Sequence, residues 1–220
     1  MLAITFGDVG TGERLGRAAF RASRNDHSMR SWPGRDRAEK LRHWPTICHV
    51  AERVAASDAL DALLVVGSFA KNRADEASDL DLMIAVGEGQ FDEAWEQRAA
   101  LQTPYALVAW DVRPDSDRPL GSRKFLTRDV VKVEITMSDA RAAGARLAEP
   151  FFVLVGDDDV ADRYERLEPI PDDVLEENAQ KLREEGLVPE VEMRYGDLMR
   201  AIRMMRTDVE RTKPGERRGA

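Results

Sequence analysis

Residues 61–86, DALLVVGSFAKNRADEASDLDLMIAV, decide the fold of this chain. An apolar run ends in Gly67 and Ser68, and after ten further residues Asp79 and Asp81 open a second apolar run. The pattern predicts a strand, a Gly-Ser turn, a polar excursion and a second strand. Because side chains alternate between faces along a strand, Asp79 and Asp81 are expected to point the same way. Two like charges on one face repel unless a cation lies between them, so the pair predicts a site for a hard divalent metal.

A third carboxylate is expected from a neighbouring strand on the same face. The segment 130–137, VVKVEITM, alternates between apolar residues and a second set that includes Lys132 and Glu134. Glu134 is the preferred candidate because it is the only acidic residue in this segment. Asp111 is the runner-up, near the end of another predicted strand. The three carboxylates together predict a site that binds magnesium through oxygen ligands alone.

The remaining elements predict an α/β (α+β) fold. Their order is mixed rather than regularly alternating, which favours a small mixed β-sheet with helices on one face over a doubly wound sheet. The other face would carry the three carboxylates. We expect a flexible leader at 1–33, a domain at 34–168 and a C-terminal helical extension at 169–220. Helices are predicted at 35–43, 46–57, 91–102, 139–147, 172–185 and 193–212, and further strands at 105–112, 123–127, 130–137 and 151–155.

The amino-acid composition indicates which partners and which cellular compartment to expect. The 220 residues carry 33 Lys and Arg against 41 Asp and Glu, a net charge of −8. This acidic balance disfavours a nucleic-acid partner or an anionic membrane surface. A single cysteine, Cys48, allows no internal disulfide, which is typical of the cytoplasm. No apolar run approaches the length of a membrane span, so we expect a cytoplasmic protein with no membrane association.

A zinc site is not predicted, although three potential ligands lie close together in sequence. His43, Cys48 and His49 match no common zinc-ligand spacing and have no fourth ligand nearby. We therefore interpret them as structural helix residues.

The segment around Gly67, Ser68, Asp79 and Asp81, with Ser78 before the first aspartate, resembles the signature of the DNA polymerase β-like nucleotidyltransferase superfamily. In that signature a hydrophobic-Gly-Ser motif precedes an Asp-hydrophobic-Asp motif at the start of the next strand. GSFAKNRADEASDLDLMI is most similar to small bacterial members, the minimal nucleotidyltransferases and the antibiotic adenylyltransferases. The resemblance extends over about 40–160.

The resemblance implies the nucleotidyltransferase fold and a magnesium-dependent enzyme. It implies transfer of a nucleoside monophosphate, AMP from ATP being the expected case, to a hydroxyl of a small molecule or a protein. Asp79, Asp81 and Glu134 would hold two Mg²⁺ ions as catalytic residues, and Glu134 would also serve as base. Lys124 and Lys132 are further candidates for phosphate contacts. The implied nucleotide contacts are Gly67, Ser68, Lys71 and Ser78.

Two alternatives to this function stay open. One is an aminoglycoside- or lincosamide-type antibiotic adenylyltransferase. Few residues follow the last predicted strand, so its acceptor pocket would be completed by a homodimer through the C-terminal helices. The other is a non-catalytic nucleotide-binding or antitoxin-like partner protein that has kept the fold.

Overall fold

A computed structural model describes residues 31–112, 119–142 and 145–168, and single positions between 171 and 186. The chain divides into two compact units, 1–168 and 169–220, at the position where the predicted C-terminal extension begins. In the second unit, the described positions 174, 177, 180, 181 and 184 are helical, as predicted for 172–185. The predicted helix 193–212 and most of the predicted leader lie outside the described residues. No described helix combines the length and the apolar character that crossing a bilayer requires.

The first unit is a mixed α and β structure. Six strands form one sheet in the order β3-β4-β5-β2-β1-β7, in which β2 and β5 are parallel and the other neighbours antiparallel. This confirms the predicted mixed sheet. The strands are β1 Leu60–Val65, β2 Leu80–Val86, β3 Ala106–Val112, β4 Leu120–Thr127, β5 Lys132–Asp139, β6 Arg146–Ala148, β7 Phe152–Val155 and β8 Glu165–Leu167. The helices are α1 Arg35–Ala38, α2 Trp44–Ala56, α3 Gly67–Ala70 and α4 Phe91–Glu96, with 3₁₀ helices at Gln97–Leu101 and Asp158–Arg163.

One face of the sheet packs against α2 and α4. Pro45 lies in the first turn of α2, where its missing N–H costs no hydrogen bond. Ile47, Val50 and Val54 recur at helical spacing and are buried in the main core, together with strand residues such as Ile135. The helices expected on one face of the sheet are therefore present.

The opposite face, which carries Asp81 and Glu134, is partly covered. There β6 and β8 pair in parallel as a separate two-stranded sheet. Leu147 of β6 is buried in a second apolar cluster that includes Met83 of β2 and Tyr164 just before β8. The helix predicted at 139–147 is wrong, because β5 continues to Asp139 and Arg146 begins β6. Helix propensity of the alanines in this segment is outweighed by the burial of Leu147 against the sheet.

Two of the predicted helices differ in length from the helices in the structure. The helix expected at 35–43 ends at Ala38, and the helix expected at 91–102 continues from Gln97 as a 3₁₀ helix.

One residue of the predicted leader is buried. The side chain of Trp32 is only 2% exposed, and its ring centroid lies 6.4 Å from that of Phe69. Trp32 therefore belongs to the packed core of the first unit.

Tyr164 connects the two-stranded sheet to the main sheet through a hydrogen bond, and we expect the loss of this bond to lower the stability of the protein. Its hydroxyl donates a hydrogen bond of 3.2 Å to the carbonyl oxygen of Ser138 at a buried position. We expect Tyr164→Phe to lower the free energy of unfolding by about 1 kcal/mol, measured by urea denaturation. Tyr105→Phe, at a half-buried tyrosine, is the control. Equal stability of wild type and Tyr164→Phe would contradict a structural role for this bond.

Candidate functional site

The structure brings two of the three predicted carboxylates side by side. Asp81 of β2 and Glu134 of β5 are register partners across the parallel pair. Partners in register project to the same face, and the alternation of each strand directs both toward the face away from α2. Asp79, two residues before Asp81, directly precedes β2. The predicted common face of Asp81 and Glu134 is therefore confirmed.

Gly67 lies directly against Asp81. A Cβ atom built on Gly67 would come within 2.6 Å of the Asp81 Oδ2 atom, and the φ angle of Gly67 is +63°. The backbone N–H of Val66 donates to the Asp81 carbonyl oxygen at 3.2 Å. Gly67 and Ser68 begin the short helix α3 rather than forming only a turn, and Asn72, just after α3, has a positive φ angle of 52°. Only glycine combines this backbone conformation with this close approach.

Two lysines enter the same face and pair with the carboxylates. Lys124 Nζ lies 3.1 Å from Glu134 Oε2, and Lys132 Nζ lies 3.4 Å from Asp79 Oδ2. The lysine side chains are only 13% and 12% exposed, so these pairs are screened less by solvent than surface ion pairs. Both lysines, which are candidates for phosphate contacts, neutralise carboxylate charge in this structure.

Asp81 carries the most perturbed carboxyl group of the site. Its burial, together with the negative charges of Asp79 and Glu134, raises the pKa of Asp81 to about 7, while Lys132 and Lys124 oppose this shift. A carboxylate at such a site is costly until a positive charge arrives beside it. A perturbed carboxyl group that faces a pocket is a common mark of a functional site.

This shift predicts a pH-dependent stability. An aspartate in the unfolded chain has a pKa of 3.8, so folded Asp81 keeps its proton over a higher pH range than unfolded Asp81 does. Between about pH 4 and pH 7 the folded state binds more protons, and the free energy of unfolding falls as the pH rises. We expect Asp81→Asn to remove at least about 1 kcal/mol of this fall, measured by urea denaturation across the range. Asp58→Asn, at an exposed aspartate, should keep the wild-type dependence of the unfolding free energy on pH. The same dependence in wild type, Asp81→Asn and Asp58→Asn would contradict the raised pKa of Asp81.

The donor set of the site fits a hard cation in its chemistry. Carboxylate oxygens are the ligands that magnesium prefers, and a cation would stabilise the ionised form of Asp81. As placed, however, no three His, Cys, Asp or Glu side chains among the described residues are arranged to hold a metal together. Two of the three carboxylates are instead held by Lys124 and Lys132. Metal binding would require these ion pairs to open.

Asp111, the runner-up for the third carboxylate, lies away from the site. It pairs in register with Arg123 and forms ion pairs of 2.8 Å and 2.9 Å with Arg123 and Arg98. Arg123 neighbours Lys124 along β4, so its side chain projects to the other face of the sheet. Glu134 is therefore the better placed of the two candidates.

Ser78 lies in the turn that leads into β2. The Ser78 hydroxyl donates to Asp75 Oδ1 at 3.0 Å and accepts from the Asp75 N–H at 3.0 Å, which stabilises the turn before β2. Lys71 follows directly after α3. Their roles as nucleotide contacts stay predictions.

His43, interpreted from the sequence as a structural residue, connects two segments of the site. Its ring is buried, its Nε2–H donates to the Ser78 carbonyl oxygen at 2.7 Å, and its edge packs against Phe69 at 5.0 Å. Burial lowers the pKa of His43, which favours the neutral ring. The histidine thereby links the Gly-Ser helix to the residue before Asp79. No local sequence signal predicts this contact, because its partners lie 26 and 35 residues away.

A pocket of about 470 Å³ opens beside Asp81 and Glu134. It extends between the sheet face and the two-stranded sheet of β6 and β8. The site thus combines clustered charge with an adjoining cavity of the size that binds small molecules.

Comparison with known proteins identified no relative of this chain. The chain matches no protein-family model, and no curated protein matches it significantly. The likeness to nucleotidyltransferases therefore rests on the motif residues 67–81 and on the placement of Glu134.

Proposed function

We propose that this protein is a magnesium-dependent nucleotidyltransferase with the nucleotidyltransferase fold. It would transfer a nucleoside monophosphate, AMP from ATP, to a hydroxyl of a small molecule or a protein. The observation that carries the proposal is the register pairing of Asp81 with Glu134, with Gly67 in contact with the Asp81 carboxylate. The spacing of the Gly-Ser and Asp-Leu-Asp motifs supports the same reaction class.

In the proposed reaction, the acceptor oxygen forms a bond to the α-phosphorus of the triphosphate. The bond between that phosphorus and the oxygen bridging to the β-phosphate breaks, and pyrophosphate leaves. Asp79, Asp81 and Glu134 would hold magnesium, which when bound neutralises charge on the phosphoryl oxygens. Glu134 would accept the proton of the acceptor hydroxyl. Gly67 would let the triphosphate approach the backbone, and Ser68 would offer its hydroxyl to it.

Lys124 and Lys132 would act as counter-charges before the substrate binds. Their ion pairs with Glu134 and Asp79 reduce the repulsion among three carboxylates on one face. With a cation held by the carboxylates, the two ammonium groups would be available to the phosphates, the role for which both lysines are candidates.

One observation favours the alternative of a non-catalytic nucleotide-binding or antitoxin-like partner. The two lysines already satisfy Glu134 and Asp79, and the described residues hold no closed set of three ligands. A protein that needed only the shape of this fold could keep these ion pairs permanently. The antibiotic adenylyltransferase alternative has no such specific support.

Calorimetry of ATP binding with and without Mg²⁺ separates the two candidates. We expect ATP to bind in the presence of Mg²⁺ and to bind much more weakly without it, because the triphosphate and the carboxylates otherwise repel each other. Transfer from each of the four labelled nucleoside triphosphates into a cell extract then identifies the nucleotide. Mg²⁺-dependent binding without transfer of any of the four labels would favour a non-catalytic nucleotide-binding protein. The absence of Mg²⁺-dependent binding for all four would overturn the enzyme and favour an antitoxin-like partner.

A further inference from the structure

The pocket beside the carboxylates is lined mainly by apolar side chains. Met83 of β2 lies on the sheet side, and Leu147 and Leu167 lie on the side of the two-stranded sheet, while Leu120 of β4 forms a lateral wall. Among the polar residues, the Thr136 hydroxyl is already hydrogen-bonded to that of Ser122 at 3.1 Å. The charged residues of the lining are Asp81 and Glu134 at one end and Arg146 of β6, whose guanidinium pairs with Glu165 at 3.2 Å.

The residues of β2 and β5 that line the pocket begin at Asp81 and Glu134, and Val66, directly before the Gly-Ser motif, also lines it. β1 ends with Val65 paired to Leu82, and Gly67 then begins α3 beside Asp81, at the start of β2. The pocket extends toward the other end of β5, from Glu134 to Ser138. The four residues from Glu134 to Ser138 span about 13 Å along the strand, because each residue of an extended chain adds about 3.3 Å.

We propose that this pocket binds the acceptor, and that the acceptor is a compact molecule with an apolar body and a hydroxyl group. This inference rests on the proposed nucleotidyl transfer. Attack on the α-phosphorus proceeds in line, opposite to the departing pyrophosphate. With pyrophosphate leaving beside Gly67 and Ser68, at the start of β2, the attacking hydroxyl would enter from the part of the pocket that extends along β5.

The lining of the pocket sets the chemical class of this acceptor. The leucine and methionine side chains that make up much of the lining bind an apolar ring or chain through buried surface. The Thr136 hydroxyl and the Arg146 guanidinium already have partners in Ser122 and Glu165, which favours an acceptor with an apolar body. Glu134 stands at the end of the pocket where the acceptor hydroxyl would lie, and would receive its proton as the new oxygen–phosphorus bond forms. A volume of about 470 Å³ holds a small molecule whole.

Two pocket-filling variants test the inference. Leu120→Trp and Leu167→Trp add bulk at half-buried positions that line the pocket. Leu107→Trp, at a leucine that is 64% exposed and outside the pocket lining, is the matched control. Each protein is given Mg²⁺, labelled ATP and a cell extract divided by ultrafiltration into a metabolite filtrate and a macromolecular retentate. Thermal melting checks that each variant is folded, and calorimetry measures its affinity for Mg·ATP.

In wild type, we expect the label to enter the filtrate and to move into products that partition into organic solvent more than ATP does. Both pocket variants should lose about a hundredfold in transfer while binding Mg·ATP as wild type does, because the acceptor alone is displaced. Leu107→Trp should transfer normally. Label confined to protein or RNA in the retentate, or undiminished transfer in both pocket variants, would overturn the acceptor assignment alone. Failure of wild type to bind Mg·ATP would instead refute the proposed function on which the assignment depends.

Discussion

Replacing Glu134 by glutamine is expected to reduce nucleotidyl transfer by about a thousandfold while leaving the chain folded. Glutamine keeps the volume of the side chain but removes the charge that would hold the cation and the group that would accept the acceptor proton. The loss should appear in the rate of transfer from labelled ATP at saturating Mg²⁺. Glu52→Gln, at an exposed glutamate of α2, is the matched control and should transfer at the wild-type rate.

The same variant has a second readout that does not depend on activity. The negative charge of Glu134 is one of the causes that raise the pKa of Asp81, so its removal should lower that pKa. The fall in unfolding free energy with rising pH should then end at a lower pH than in wild type. Retained transfer in Glu134→Gln would exclude the residue from the reaction, and an unchanged pH profile would exclude its coupling to Asp81.

Gly67→Ala is expected to lower transfer by about a hundredfold and the free energy of unfolding by about 1 kcal/mol. The stability loss arises because alanine is strained at a φ angle of +63°. The activity loss has a different cause: the added Cβ would lie 2.6 Å from Asp81 Oδ2, and must displace that carboxylate. Urea denaturation and the transfer assay measure the two effects separately.

Gly89→Ala is the matched control for this substitution. Gly89 has nearly the same φ angle, +69°, but a Cβ there would meet nothing within 4 Å. It should therefore lose a similar amount of stability and keep its transfer activity. Equal activity in the two alanine variants would show that the close approach of Gly67 to Asp81 has no part in the reaction.

Much of the charged face could be predicted from local periodicity. The apolar runs of β1 and β2 and the alternation of β5 are sequence patterns, and each determines which residues share a face. Glu134 was preferred over Asp111 from this alternation, and the structure places Glu134 beside Asp81 and Asp111 with arginines on the other face. The period of two is a property of any extended chain, so these predictions needed no knowledge of the neighbouring strands.

Predictions that depended on partners distant in sequence were less successful. The residues at 139–147 have local helix propensity, but Leu147 is buried against Met83, and Arg146 begins a strand that pairs with β8. Lys124 and Lys132 were candidates for phosphate contacts, and no local pattern indicated a carboxylate partner for either. Their pairing with Glu134 and Asp79 depends on which strands lie side by side, and strand order is not a local property.

The sequence by itself determined the two motif strands and the common face of Asp81 and Glu134. Backbone sterics and the alternation of strand side chains act within a few residues, so a short segment suffices to specify them. Only the tertiary structure showed that lysines neutralise the carboxylates and that His43 connects the Gly-Ser helix to the turn before β2. It also showed that a mainly apolar pocket, covered by β6 and β8, adjoins the site. These features depend on contacts between residues far apart in the chain, whose positions are set by the packing of the whole sheet and its covering elements.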